Sequence, residues 1–508
     1  MRLRAALGLC VALLGGCDFG VRLSETETPE ATGKPTAGKP TATAVAATGI
    51  GSKPPTLGAP KPFEPPAPVV FQGPGGITVW LVERPQLPIV SATVIVPYGS
   101  ASDPEDAPGT MALLADMLDE GAGSRDALQL SETVASLGAT LSVGAGQDSS
   151  QASVLALKTK FDTAFELLSD VLARPKLAQG DFQRTKKLWK NALRKRSDDP
   201  MSVASTVAGA VLYGPKAPYG HPSLGLYSKA DSVSLGGLKS AYERTYRPDR
   251  ATIVIAGQIT RAEVEALLEK HLGSWKPKGD ALPPPKLTKV LAKRPKFIVV
   301  ERPKAVQTVI YAAREGTTAS DERAPSLTLV SDALGGSFTS RLNMNLREDK
   351  GWTYGVGSGF TASRGEGAFI VRTSVEAEHT GDALKEILGE LANMSAKGLT
   401  DQEVGKVKAQ DRADLVQTYE GATGVGSRLS SLSALGLPTS FDAGASRIRQ
   451  AASREDLARL AKTHVDPAGF TVVLVGDREL IKKQLADKGL EAPVPYSAEG
   501  QAQSGEGG

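Results

Sequence analysis

The sequence predicts an α+β protein made of two tandem copies of one domain, each an antiparallel-rich sheet packed with helices. Three observations carry this. β-rich runs and amphipathic helical stretches follow one another in the same order twice. The run TIVIAG at 252–257 returns as TVVLVG at 471–476, with a proline at the same offset upstream in each, Pro248 and Pro467. A proline-rich stretch, KPKGDALPPPKLTK at 276–289, separates the two series. A repeat of this length means a duplicated domain rather than a solenoid.

The elements can be justified in order. ITVWLVE (77–83) and VSATVIVPYG (90–99) are rich in β-branched and aromatic residues and read as strands. GTMALLADMLDEG (109–121) has apolar residues at helical spacing and is closed by Gly121. ATLSVGAG and QASVLALK, at 139–146 and 151–158, read as a hairpin. Phe161, Ala164, Phe165, Leu168, Val171 and Leu172 then share one helical face. A basic helix, FQRTKKLWKNALRKRS, stops at Asp198-Asp199-Pro200, and ATIVIAG precedes a helix over Arg261–His271. In the second series VQTVIYAAREG repeats the second strand and APSLTLVSDALGG the first helix; GAFIVRTSV and ALKEILGELANM repeat the hairpin strand and the amphipathic helix. The expected boundaries are 75–280 and 281–490, followed by a disordered Gly/Ser/Gln-rich tail over 491–508.

Composition narrows the function. Hydrophobic residues make up 41% and charged residues 23%, as in soluble globular proteins. A net charge of +3, with no basic block interleaved with aromatics, sets nucleic acid aside as a partner. Arg2 and Arg4 precede a short apolar run that ends at Cys17, the pattern of a secretory signal over 1–17. Leu14-Gly15-Gly16-Cys17 resembles the lipobox of bacterial lipoproteins, which implies lipid attachment at Cys17 and a periplasm-facing place in the cell envelope. Residues 18–74 are rich in Pro, Thr and Ala and read as a disordered tether. Cys10 and Cys17 are the only cysteines, so the processed chain has neither an internal disulfide nor a cysteine-based zinc site.

Four longer segments carry a family resemblance: GSASDPEDAPG, YGHPSLG, YRPDRATIVIAG and LGGSFTSRLNMNLREDKGWTYGVGSG. Together with the duplicated α+β plan, they resemble the insulinase/pitrilysin-like zinc metallopeptidases, the superfamily that includes the mitochondrial processing peptidases and the bc1 core proteins. The resemblance implies that the two domains form half of a clam-shell. Active members carry H-x-x-E-H on the first helix. Two histidines four apart share a helix face and bind Zn²⁺, and the glutamate polarises the metal-bound water. Here those positions hold Ala112, Ala115 and Asp116, and the downstream ligand position falls at Asn191 or Ala192. Two methyl groups and one carboxylate do not make a zinc site, so no metal is expected on this chain. His221, His271, His379 and His464 do not pair at ligand spacing and read as surface or capping histidines.

The second half keeps what the first lacks. The resemblance implies that Arg347 and Tyr354, seven apart in NLREDKGWTYG, hold a substrate backbone and steady an oxyanion. Arg341 is expected to be structural, and Gly335 and Gly336 read equally well as a helix C-cap. The pattern is that of a non-zinc subunit that complements a zinc-bearing H-x-x-E-H partner and acts with it on unfolded peptides. The alternative is a scaffold subunit of an envelope complex, like the bc1 core proteins. A self-sufficient hydrolase is disfavoured by the absence of G-x-S-x-G, of a catalytic cysteine and of a histidine cluster.

Overall fold

A computed structural model describes residues 63–287 and 289–503. The signal, the Cys17 lipobox and most of the tether lie outside the described residues.

The first sheet is formed by β1 (Val69–Gln72), β2 (Thr78–Glu83), β3 (Ile89–Val96), β4 (Thr140–Ala145), β5 (Ser150–Leu157) and β6 (Thr252–Gly257), in the order β1-β2-β6-β3-β5-β4. The second is formed by β7 (Phe297–Glu301), β8 (Gln307–Glu315), β9 (Thr353–Phe360), β10 (Ala368–Glu376), β11 (Thr471–Gly476) and β12 (Val494–Pro495), in the order β12-β7-β11-β8-β10-β9. From β2 to β4 and from β7 to β9 the two orders match, while the edge strand is the first of its half in one sheet (β1) and the last in the other (β12). The repeated TIVIAG and TVVLVG runs are β6 and β11, and each pairs parallel to the first long strand of its half, β2 or β7. The remaining pairs of each sheet are antiparallel, apart from β12 on β7.

The helices follow the same rule. α1 (Thr110–Leu118) and α2 (Phe161–Ala173) have counterparts in the second half, the helices Ala324–Ser331 and Thr380–Lys397. All six apolar residues expected on one face of α2 are buried, and they join β3, β5 and α1 in one core. α3 (Gln179–Asp198) buries Phe182, Thr185, Trp189 and Leu193 and leaves Lys187 and Lys195 exposed. Asp199 then caps α4 (Pro200–Tyr213) by accepting from the Ser202 N–H at 2.7 Å.

Two expected boundaries are corrected. The folded body starts before residue 75, because β1 pairs with β2 over Val69–Gln72. The tail is ordered through residue 503. Val494 and Pro495 pair with Ile298 and Val299, and Tyr496 donates to the Val299 carbonyl at 2.9 Å. A tight hairpin follows, in which Glu499 accepts from the Ser228 N–H and Gly500 lies against Ala210 of α4. Gly500 sits at φ +80°, and a Cβ there would be 2.4 Å from the Ala210 methyl, so glycine is required. The physical reason for the correction is edge pairing: two residues with a proline suffice to extend a sheet at its margin.

The division at 280/281 also fails to describe the packing. α4 belongs to the first series but lies on the second sheet. Its Val203, Ala204, Val207 and Val211 share a core with Ile298, Val300, Val309, Tyr311 and Val473. In return α5 (Ala422–Ala434), from the second half, covers β3 and β6 of the first sheet. There Gly426 comes so close to β3 that a Cβ would lie 3.0 Å from the Ser91 hydroxyl. Each sheet therefore has one face covered by a helix of the other half.

Candidate functional site

The helix that aligns with a zinc motif is well built but carries no metal chemistry. Asp103 fixes its N-terminus: the carboxylate accepts from the Gly109 and Met111 N–H groups, both at 2.7 Å. Burial raises the Asp103 carboxyl to about 7 even against those two hydrogen bonds. Eight of the nine α1 residues are buried, Ala112 and Ala115 among them, so both methyls are packing atoms. Asp116 is the exposed exception. Its carboxyl reaches solvent yet is surrounded by protein, which pushes it up to about 6, and the nearby charge of Glu120 adds to the rise. Asp119 is raised to about 6 for the same two reasons. Glu120 is already engaged, accepting from Arg184 at 3.2 Å and from the Thr185 hydroxyl at 3.3 Å. Asn191 and Ala192 are exposed on α3 and offer no carboxylate. Among the described residues no group of three or more His, Cys, Asp or Glu is placed to hold a metal. The residues present do not fit zinc.

The histidines are scattered, and two are less exposed than the sequence suggested. His464 is buried beside Arg323 and edge-on to Phe360, and desolvation lowers its pKa. The His271 ring is largely covered at the end of its helix, 3.3 Å from the Asp162 carboxylate. His221 contacts the Pro222 carbonyl at 3.1 Å, and His379 stacks on Trp352.

The second-half segment is built differently. α6 (Ala324–Ser331) runs into a wide π-type turn over Asp332–Gly336, and a second π-type turn spans Met344–Asp349. Such turns often mark functional sites. The expected C-cap role of Gly335 and Gly336 is replaced by close approach. A Cβ on Gly335 would lie 2.8 Å from the Ser358 hydroxyl of β9, and one on Gly336 2.5 Å from the Asp332 carboxylate. The buried Asn343 ties the segment together. Its amide donates to the Ser337 carbonyl (3.1 Å), the Ser340 hydroxyl (3.1 Å) and the Val356 carbonyl (2.8 Å), and its oxygen accepts from the Val356 N–H at 2.9 Å. Sequence reasoning missed Asn343. The available signal was an amide residue one helical turn before Arg347, next to Leu342 and Leu346.

Arg347 and Tyr354 both lie in the segment that the Asn343–Val356 staple closes. The Arg347 guanidinium lies 4.3 Å from the Phe338 ring centre and 3.3 Å from Glu348. Tyr354 is 93% exposed and has no intramolecular partner among the described residues. No hydrogen bond, ion pair or ring contact among the described residues joins Arg347 or Tyr354 to Ala112, Ala115 or Asp116. Arg341 is structural as expected. It grips Glu403 through two hydrogen bonds of 2.6 and 2.7 Å and donates to the Gly398 carbonyl. Glu403 in turn caps α7 (Asp401–Thr418) with Thr400.

Comparison with known proteins agrees with this geometry. Residues 78–208 match the insulinase (peptidase family M16) model and residues 232–410 the peptidase M16 inactive domain model, together more than half of the chain. The chain belongs to peptidase family M16. Its M16 relatives include an uncharacterized zinc protease of Mycobacterium leprae, 26% identical over 70% of this chain and 80% of that protein. The non-peptidase homolog YmxG of Helicobacter pylori is 22% identical over 75% of this chain and 87% of its own length. Among solved structures, the peptidase M16 inactive domain from Pseudomonas fluorescens superposes with a TM-score of 0.73 at 26% identity, covering 81% of this chain and 98% of that one. A Helicobacter pylori protease gives the same TM-score at 18% identity, covering 81% and 99%, a likeness of fold. The chain is thus an M16 homologue without the zinc motif.

The raised Asp116 carboxyl makes a prediction. A folded-state value of about 6, against an ordinary 3.8, means that the folded protein favours the protonated form. Ionised Asp116 therefore destabilises the fold, fully so above about pH 6 and not at all below the ordinary value. Asp116→Asn should raise the melting temperature at about pH 8, with the gain shrinking as the pH falls toward 4. An equal gain at both pH values, or a loss at the higher one, would contradict this assignment.

Proposed function

We propose that this M16 chain is the non-zinc subunit of a heteromeric metallopeptidase that acts on unfolded peptides or proteins in the cell envelope. The observation that carries the reading is Tyr354, a phenol turned wholly to solvent on a strand that the buried Asn343 holds rigidly. A large exposed aromatic on an ordered strand suits contact with something outside the chain. Arg347, on the same stapled segment, offers a forked donor one third exposed. Both side chains can donate to a peptide carbonyl as it gains negative charge. Because Ala112 and Ala115 cannot supply the other half of the chemistry, we assign it to a partner chain with an intact H-x-x-E-H. That partner's zinc would supply the activated water. Arg347 and Tyr354 orient the peptide and steady the oxyanion.

The reading extends to location. Cys17 would carry the lipid, residues after it would tether the body, and the peptidase would work on the periplasmic side. Lipid chains supply membrane affinity through buried methylenes, and a polar tether adds little. Cys17→Ser should therefore move the protein out of the membrane fraction or leave it unprocessed; unchanged fractionation would remove the anchor from the account.

The shared site is tested by reconstitution. Removing one oxyanion donor typically lowers turnover about a hundredfold to a thousandfold. Arg347→Ala and Tyr354→Phe should each leave the chain folded and able to join its partner by gel filtration, yet lower hydrolysis of an unfolded peptide steeply. Wild-type turnover by both reconstituted variants would sink the shared site and leave a scaffold subunit as the function.

A further inference from the structure

We propose that Phe338 is a positioning residue for Arg347, an aromatic platform that holds the guanidinium where a peptide carbonyl can reach it; this rests on the shared-site reading. A free arginine side chain samples many rotamers, and a mobile donor stabilises little charge. Among the described residues the Arg347 side chain has two partners. One is its neighbour Glu348, at 3.3 Å, which competes with any substrate for the same N–H groups. The other is the Phe338 ring, with the guanidinium carbon 4.3 Å from its centroid. A ring accepts the cation on its face and leaves the N–H edges free to donate. That is what a positioned but unspent donor requires.

The placement is not an accident of one loose loop. Phe338 is 64% exposed, unusual for so large an apolar side chain, so core packing does not explain its position. Its backbone is nonetheless fixed. The preceding residue, Ser337, gives its carbonyl to Asn343, and Ser340, two residues on, gives its hydroxyl to the same amide. Asn343 also holds Val356 at both its N–H and its carbonyl, two residues beyond Tyr354. Arg347 lies one helical turn after Asn343. Thus a single buried carboxamide holds in register the segments that bear Phe338, Arg347 and Tyr354. The Lys406 ammonium donates to the Thr339 carbonyl at 2.9 Å and pins the turn from the other side.

Two readouts test this, one on the chain alone and one on the reconstituted pair. In the full chain with ¹³C-labelled arginine, the Arg347 Cδ protons should show an upfield ring-current shift, assigned by its loss in Arg347→Lys. Phe338→Tyr should keep that shift, and Phe338→Leu, apolar and of similar size but without a ring face, should abolish it. With the partner present, Phe338→Leu and Phe338→Ala should lower kcat about tenfold to a hundredfold, the range expected when a catalytic group is misplaced by about an ångström. KM should change little, and Phe338→Tyr should restore kcat. The proposal is overturned if Phe338→Leu keeps the shift, or if it turns over like wild type while Arg347→Ala does not. If the shift follows the ring but Arg347→Ala cleaves normally, Phe338 still positions Arg347 and the shared-site reading is what fails.

Discussion

Each sheet of this molecule is covered on one face by a helix that belongs to the other half. Val203, Val207 and Val211 of α4 complete the core under the second sheet, and α5 lies over β3 and β6 of the first. Apolar burial on this scale is worth roughly 25 cal/mol per Å², so neither half can withdraw its helix without exposing the other's core. Polar contacts lock the same junction. The Tyr219 hydroxyl donates to Asp148 at 2.5 Å and accepts from the Gly365 N–H at 2.8 Å, while Asp148 also accepts from the Arg364 N–H. Burial and the neighbouring Asp148 carboxylate raise the Tyr219 pKa, which keeps it a neutral donor. The two halves form one body, and the second-half segment is presented from a rigid frame.

That frame explains how a helix can keep its place with no metal to hold. α1 is almost wholly buried, its N-terminus is fixed by Asp103, and Ala112 and Ala115 are part of the packing. Its persistence is a matter of core, not of chemistry. The opposite holds for the Arg347 segment. There the buried residue is Asn343, whose satisfied hydrogen bonds fix the backbone, while Phe338 and Tyr354 are left in solvent. Neither Phe338 nor Tyr354 belongs to a core cluster of the described residues.

Much of this was legible in the sequence because it is local. Runs rich in β-branched and aromatic residues gave the strands, the TIVIAG echo gave the duplication but not the parallel pairing of β6 and β11, and the apolar stripe from Phe161 to Leu172 gave α2. The loss of the zinc motif at Ala112, Ala115 and Asp116 needed only spacing. The helix exchange was not legible, since nothing in the periodicity of α4 says which sheet will cover it. Val494 and Pro495 were too short and too proline-marked to read as a strand, so the tail seemed disordered. Asn343 was hidden for a related reason: its four hydrogen bonds reach residues six before and thirteen after it, and the π-type turns around it follow from that tertiary staple rather than from propensity.

The central claim is that the chain contributes donors and lacks the metal. Native mass spectrometry of the complex purified from its own membrane, with zinc counted on the intact assembly, tests it most directly. The account predicts this chain bound to a second M16 chain that carries H-x-x-E-H, with about one zinc per pair, all of it retained by the partner when the two are separated. Zinc remaining on this chain, or an assembly with no H-x-x-E-H chain, would contradict it.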